Sequence, residues 1–181
     1  MKTITITKKD LDKDNFYKEP EIGTWDNYEN VSVVIEENLG YVRFKKGVYV
    51  NGSVLAEAGS GIEAGEGIEA GDGIEAGDGI EAGWGIEAGE GIEAGWGITS
   101  LYSWIKAKLA ITFNTSCTIS AGIFSTSGAQ DIECQEINGG KVIYGNLKLL
   151  PKENSTKKDL LSKADELIAK ANELKEEANK L

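Results

Sequence analysis

Isoleucine returns every six residues through the middle of the chain, at positions 62, 68, 74, 80, 86, 92 and 98, and alanine follows two places behind at 64, 70, 76, 82, 88 and 94. Each unit reads Gly-Ile-Glu-Ala-Gly-x, with Ser60, Glu66, Asp72, Asp78, Trp84, Glu90 and Trp96 at x. An α-helix brings together positions three or four apart, and each glycine costs it about 1 kcal/mol against alanine, so the pattern is not helical. In a short extended segment Ile and Ala fall on one side and the Glu between them on the other. The Gly-x-Gly that follows supplies residues free to take φ > 0, which a corner is expected to need. Strand and corner alternating at a fixed period predict a parallel β-solenoid, or β-helix. A flexible glycine-rich linker competes with that reading, but has no use for a repeated Ile–Ala pair.

Two cross-sections satisfy the period. Three units per turn make a triangular coil of eighteen residues, and two make a flat coil of twelve. A twelve-residue turn would stack Ser60, Asp72, Trp84 and Trp96 on one edge and Glu66, Asp78 and Glu90 on the other. That sorting favours the flat coil by a small margin, although three-sided coils are the better-known home of hexads. In either form Glu63, Glu69, Glu75, Glu81, Glu87 and Glu93 project outward on successive coils about 4.8 Å apart.

Alternating apolar and polar residues continue on both sides of the repeat. Lys2 to Thr7 and Val31 to Val54 precede it; Trp104 to Phe113, the Ile-Ser-Ala-Gly-Ile run from Ile119 to Ile123, and Lys141 to Leu150 follow it. These predict strands, so the regular block is the middle of one long coil. From Thr156 the composition changes to strong helix formers without Gly or Pro, with Thr156 as N-cap and Asp159 as its capping-box partner. Leu160, Leu167, Leu174 and Leu181 recur every seven residues with Ala164, Ala171 and Ala178 between them, a heptad seam. Such a helix is unstable alone in water. It either docks on the solenoid or pairs with a second copy, and the small alanines favour self-association. The expected organisation is therefore mostly β: an N-terminal β segment over 1–50 capping the solenoid, the acidic repeat over 51–100, further β coils over 101–152, and a C-terminal amphipathic α-helix over 153–181.

Charge is distributed unevenly. The formal net charge is −11, from 19 basic and 30 acidic residues. Eleven of the acids fall between Asn51 and Ser100, where there is no Lys or Arg, and the rest of the chain balances. Besides the six glutamates above they are Glu57, Glu66, Asp72, Asp78 and Glu90. Like charges on neighbouring strands repel and are tolerated only in water or opposite a cation. Three readings stay open: a solvated face, a basic protein partner, or ladders for metal ions. Trp84 and Trp96, at corners, are expected to be exposed, as interface anchors often are.

The chain contains no histidine, which removes His-based acid/base catalysis and nearly all catalytic zinc sites. The expectation is a non-enzyme without cofactor or metal. Asp10, Asp12, Asp14 and Glu21 imitate a calcium loop, but Asn15 stands where that loop wants Gly and Pro20 interrupts it, so a polar turn is favoured. The opening residues have no apolar targeting core and no run is long enough to span a membrane, which predicts a cytoplasmic protein. Two cysteines, Cys117 and Cys134, fit a reducing compartment; they could stack as neighbours, but buried free thiols are favoured.

The repeats resemble those of hexapeptide acyltransferases in architecture alone. That pattern wants a small residue four places after the aliphatic one, where this chain has Asp, Glu or Trp, and those enzymes depend on a histidine. From Val31 to Leu150, with its GIEAGWGIEAG arrays, the chain more closely resembles small glycine-rich repeat proteins of bacteria and their phages. That resemblance implies an inhibitor of a bacterial defence system, of the anti-CRISPR kind, acting in the host cytoplasm. DNA-binding complexes meet about one negative charge per 1.7 Å of duplex with Lys/Arg grooves. A rigid rod of carboxylates is expected to compete for such a groove, with Glu63 to Glu93 as the charged face, Trp84 and Trp96 as anchors, a basic or nucleic-acid-binding protein complex as partner, and no direct contact with nucleic acid or membrane. The alternative is a structural solenoid assembled through its C-terminal helix.

Overall fold

Ile62 lies opposite Ile80 and Ile80 opposite Ile98, in parallel and in register, so each turn of the coil takes eighteen residues. This computed structural model describes residues 1–151 apart from 127 and 129. The strands form three parallel sheets, one per side of a triangular β-solenoid of about six turns. The first face stacks β1 (Lys2–Ile6), β2 (Val31–Ile35), β5 (Val54–Ala56), β8 (Ile74–Ala76), β11 (Ile92–Ala94), β14 (Ala110–Phe113) and β17 (Glu136–Asn138). The second holds β3 (Gly40–Phe44), β6 (Ser60–Ala64), β9 (Ile80–Ala82), β12 (Ile98–Ser100), β15 (Thr118–Ala121) and β18 (Lys141–Tyr144). The third holds β4 (Val48–Val50), β7 (Ile68–Ala70), β10 (Ile86–Ala88), β13 (Ile105–Ala107), β16 (Asp131–Cys134) and β19 (Asn146–Leu149).

The flat twelve-residue coil is thus overturned, and core packing accounts for the outcome. A strand of three residues makes one side of a triangle, and three isoleucines of a turn then meet inside. Ile74, Ile80 and Ile86 are 1%, 1% and 0% exposed, with Ala76, Ala82 and Ala88 buried beside them. A large and a small side chain alternate along each strand, which fills a narrow axis without voids. The apolar core is one continuous cluster from Ile6 to Cys134.

The glycines act differently from the expectation. No glycine from Gly61 to Gly97 has a positive φ. The glycine after each alanine is required by close approach: a Cβ at Gly83, Gly89 or Gly95 would lie 2.1, 1.9 and 1.9 Å from the carbonyl oxygen of Gly65, Gly71 and Gly77 one turn away. The corner backbone of one turn rests directly on the next, with Gly89 N donating to Ala70 O at 3.0 Å and Glu90 N to Asp72 O at 3.1 Å. Ser60, at an x position, is buried; its Oγ donates to Glu36 O and accepts from Leu39 N.

Residues 7–29 close the first turn. A 3-10 turn, Lys8–Asp10, follows β1, and Phe16, Ile22 and Glu29 bridge in turn to Arg43, Val48 and Val50 on the exposed edges of β3 and β4. The calcium-like stretch lies here as a polar turn. Asp12 Oδ1 accepts from the backbone N of Asp14 and Phe16, both at 2.9 Å, and Asp10 Oδ2 accepts from Thr7 N at 2.9 Å. These hydrogen bonds hold both carboxyls below the usual carboxylate range. Asn15 takes the left-handed conformation, φ 63°, that the missing glycine would have taken.

Cys117 is half-buried and Cys134 buried, and both thiols are free; burial pushes the Cys134 thiol up. Among the described residues no helix is long and apolar enough to cross a membrane, and none is α-helical. The chain divides between Met1–Leu150 and Pro151–Leu181. The expected heptad helix, with Leu160, Ala164, Leu167, Ala171, Leu174, Ala178 and Leu181, lies outside the described residues.

Candidate functional site

An eighteen-residue turn distributes the six repeat glutamates two to a face. Glu75 and Glu93 stack on the first face, Glu63 and Glu81 on the second, Glu69 and Glu87 on the third. A single six-carboxylate ladder therefore does not form; the acidic surface surrounds the coil.

The three pairs differ in what flanks them. On the second face Glu63 lies opposite Arg43, whose Nε donates to Glu63 Oε2 at 2.8 Å. Glu81 stands one turn further on, where burial first and the Glu63 charge second raise its pKa, against a smaller opposing effect of Arg43. On the third face the Tyr28 hydroxyl donates to Glu69, and Lys106 lies opposite Glu87. Burial, followed by this hydrogen bond, drives the Tyr28 pKa upward. On the first face Leu55 and Thr112 are the neighbours of Glu75 and Glu93.

The corner before that first face adds Asp72 and Glu90. Together with Glu75 and Glu93 they line a shallow groove of about 630 Å³ whose remaining walls include Ser53, Ala110 and Thr112 and no basic residue. All four carboxylates are exposed, and among the described residues no ion pair reaches them. No basic residue lines this groove to offset the four carboxylates. No group of three or more potential ligands among the described residues has the geometry to hold a metal ion.

No protein-family model, curated protein or solved structure matches this chain.

The x residues occupy three corners. Asp78 and Trp96 share the corner between the first and second faces, Trp96 N donating to Asp78 O at 3.2 Å. Glu66 and Trp84 share the corner between the second and third, Trp84 N donating to Glu66 O at 3.1 Å. Both tryptophans are 62% exposed, as their positions predicted. Trp84 begins a ladder that the sequence reading missed: its ring centroid lies 6.5 Å from Tyr102, which lies 5.9 Å from Phe124. Alignment of the sequence at a period of eighteen, with Tyr102 following Trp84, would have found the first step.

Beside that ladder is a second groove, of about 520 Å³, walled by Trp25, Trp84 and Trp104 with Glu66 and Glu69. Trp25, which no repeat announces, is 73% exposed and comes from the N-terminal closing segment. Lys106 Nζ lies 4.7 Å from the Trp104 ring centroid.

Proposed function

We propose that this is a non-catalytic binding protein that inhibits a nucleic-acid-binding bacterial defence complex, in the manner of an anti-CRISPR protein, by filling a basic groove with an acidic rod. The observation that carries the reading is the segregation of eleven carboxylates, without one Lys or Arg, onto residues 51–100, where a rigid coil displays most of them to solvent. Stacked carboxylates repel, so such an array costs stability and is best explained by a cationic partner. Coulomb attraction to a Lys/Arg groove supplies fast, salt-sensitive association and displaces the nucleic acid that groove was built for. Trp84 and Trp96 serve as apolar anchors at two corners.

The division of glutamates among faces makes the test specific. The three pairs, Glu63/Glu81, Glu69/Glu87 and Glu75/Glu93, are reversed to lysine separately, and DNA binding by guide-loaded defence complexes is measured at two salt concentrations. Inhibition falls most for E75K/E93K, because the strand neighbours of that pair, Leu55 and Thr112, are uncharged. Inhibition that survives all three reversals, or that does not weaken with salt, removes the electrostatic reading.

A structural assembly role is the second reading. The last turn favours it: Ile143, Tyr144, Leu147 and Leu149 are exposed on β18 and β19, an end that in a solenoid needs a cap or a partner. Deleting 156–181 separates the two. Retained inhibition supports the first reading, whereas joint loss of activity and oligomerisation supports the second.

A further inference from the structure

We propose that the groove between Trp25, Trp84 and Trp104 is a receptor for a single arginine side chain of the partner. The inference rests on the reading that the partner is basic, and adds the place and the residue type of its anchor.

Three indole rings and two carboxylates, Glu66 and Glu69, wall this space, and none of its lining residues is basic. Three tryptophans around one groove are out of proportion in a chain with four. Two of them, Trp25 and Trp84, are mostly exposed, a costly placement for large apolar rings that nothing in the fold requires, since the core is complete without them. An anion is repelled by the carboxylates, and a purely apolar occupant would desolvate them without pairing. A guanidinium satisfies both halves of the site. It is planar, stacks on indole faces, is weakly hydrated, and meets a carboxylate with a two-pronged hydrogen bond.

The structure already contains the interaction in a weaker form, with Lys106 Nζ over the Trp104 ring at the margin of the groove. The two carboxylates are positioned by the coil itself: Glu69 by its place on β7 and by the hydroxyl of Tyr28, Glu66 by the corner hydrogen bonds that its backbone makes to Lys46 and Trp84. Trp104 Nε1 is buried with no hydrogen-bond partner and rests beside Gly85, where a Cβ would come within 3.0 Å of it. An arriving peptide carries backbone carbonyls able to accept from it after a small tilt of the ring, which suits a protein-borne arginine better than a free ammonium ion.

The test uses the full chain labelled with ¹⁵N and follows its four indole N–H signals during titration with N-acetyl-arginine amide and, separately, with its citrulline counterpart, which keeps the shape and loses the charge. The arginine probe is expected to shift Trp25, Trp84 and Trp104 together and to leave Trp96, on a different corner, in place. Citrulline is expected to bind about tenfold more weakly, the scale of a desolvated cation–π contact with one carboxylate pair. E66Q/E69Q and W84A, each confirmed as folded by its circular dichroism, weaken the arginine titration by a similar factor. The inference is overturned by equal shifts from both probes, by Trp96 moving in step with the other three, by an unchanged titration in W84A, or by a neutral oligosaccharide shifting the three signals where arginine does not. Arginine failing to bind while the face reversals still abolish inhibition would sink this site and leave the acidic-rod reading standing; arginine binding with no effect of the reversals would do the opposite.

Discussion

Replacing Gly89 by alanine and, separately, Gly73 by alanine makes the same chemical change at two glycines of the same repeat and is expected to move stability in opposite directions. At Gly89 the new methyl would lie 1.9 Å from Gly71 O and 2.9 Å from its carbon, about 1.5 Å short of the 3.4 Å at which ordinary contact begins. Both neighbours are backbone, so no rotamer change relieves the clash. The turns must separate locally, and the bond from Gly89 N to Ala70 O, now 3.0 Å, lengthens with them. Overpacking costs about 1–3 kcal/mol and a lost buried hydrogen bond a further ~1–3 kcal/mol. Against these, alanine restricts the unfolded chain by about 0.4–1 kcal/mol in favour of the fold, which leaves a net loss of about 1–6 kcal/mol. At Gly73 the nearest atom is Gly91 O at 3.4 Å, an ordinary contact, and φ is outside the left-handed range, so only the favourable ~0.4–1 kcal/mol remains. For a chain of this size each kcal/mol shifts the midpoint by about 2–4 °C. Thermal melting followed by circular dichroism should therefore place G89A roughly 2–24 °C below the parent and G73A slightly above it. Equal midpoints for the two variants would refute the claim that the glycine after each alanine is fixed by contact between turns.

Truncating the core is a second measurement: I80A removes a side chain that is 1% exposed from the stack of Ile62, Ile80 and Ile98, and urea unfolding should register a loss of about 2–5 kcal/mol. The pH dependence follows from Glu81, whose folded pKa is raised above its ordinary 4.5; its stabilising contribution is complete below the unfolded value and is lost as pH rises through the folded one. Asp10, Asp12 and Asp131, lowered below 3.8, withdraw their support only under more acid conditions. Stability should then pass through a maximum on the acid side of neutrality, E81Q should flatten that rise, and a steady decline from neutral pH down to that region would contradict the assignment. Added salt, which shortens the Debye length from ~30 Å at 0.01 M to ~3 Å at 1 M, should raise the melting temperature; a fall would mean that the stacked carboxylates are not the dominant electrostatic feature.

The parts of this fold that could be read from the sequence were those set by a period of two or six. The Ile–Ala inward, Glu outward assignment holds at every repeat strand from β7 to β11, and the flanking strands fall where alternation placed them. Coil cross-section was not readable from the x residues, because they sort by type with no energetic link to one another. The deciding interaction is between glycine and a carbonyl eighteen positions away, a pair with no side-chain signature at all. The irregular turns hid more. Trp25 reaches its groove from a closing segment without a repeat, and Phe124 follows Tyr102 by more than one period because the connections before β13 and β15 are longer than the hexad corner.

Six-residue units on a three-sided coil place the same glutamate on every face, so the repeat alone makes a surface without direction. Direction comes from the irregular ends. Arg43 neutralises the beginning of the second face, and Tyr28 and Lys106 bracket the third, while the uncharged Leu55 and Thr112 flank the pair on the first. The same closing segment that brings Tyr28 to Glu69 also delivers Trp25 to the aromatic corner. The coil thus presents a carboxylate groove on one side and an aromatic groove at another corner, each set apart from the other faces by neighbours outside the repeat. Transplanting the GIEAG array into another solenoid would carry over the charge but leave behind the residues that orient it.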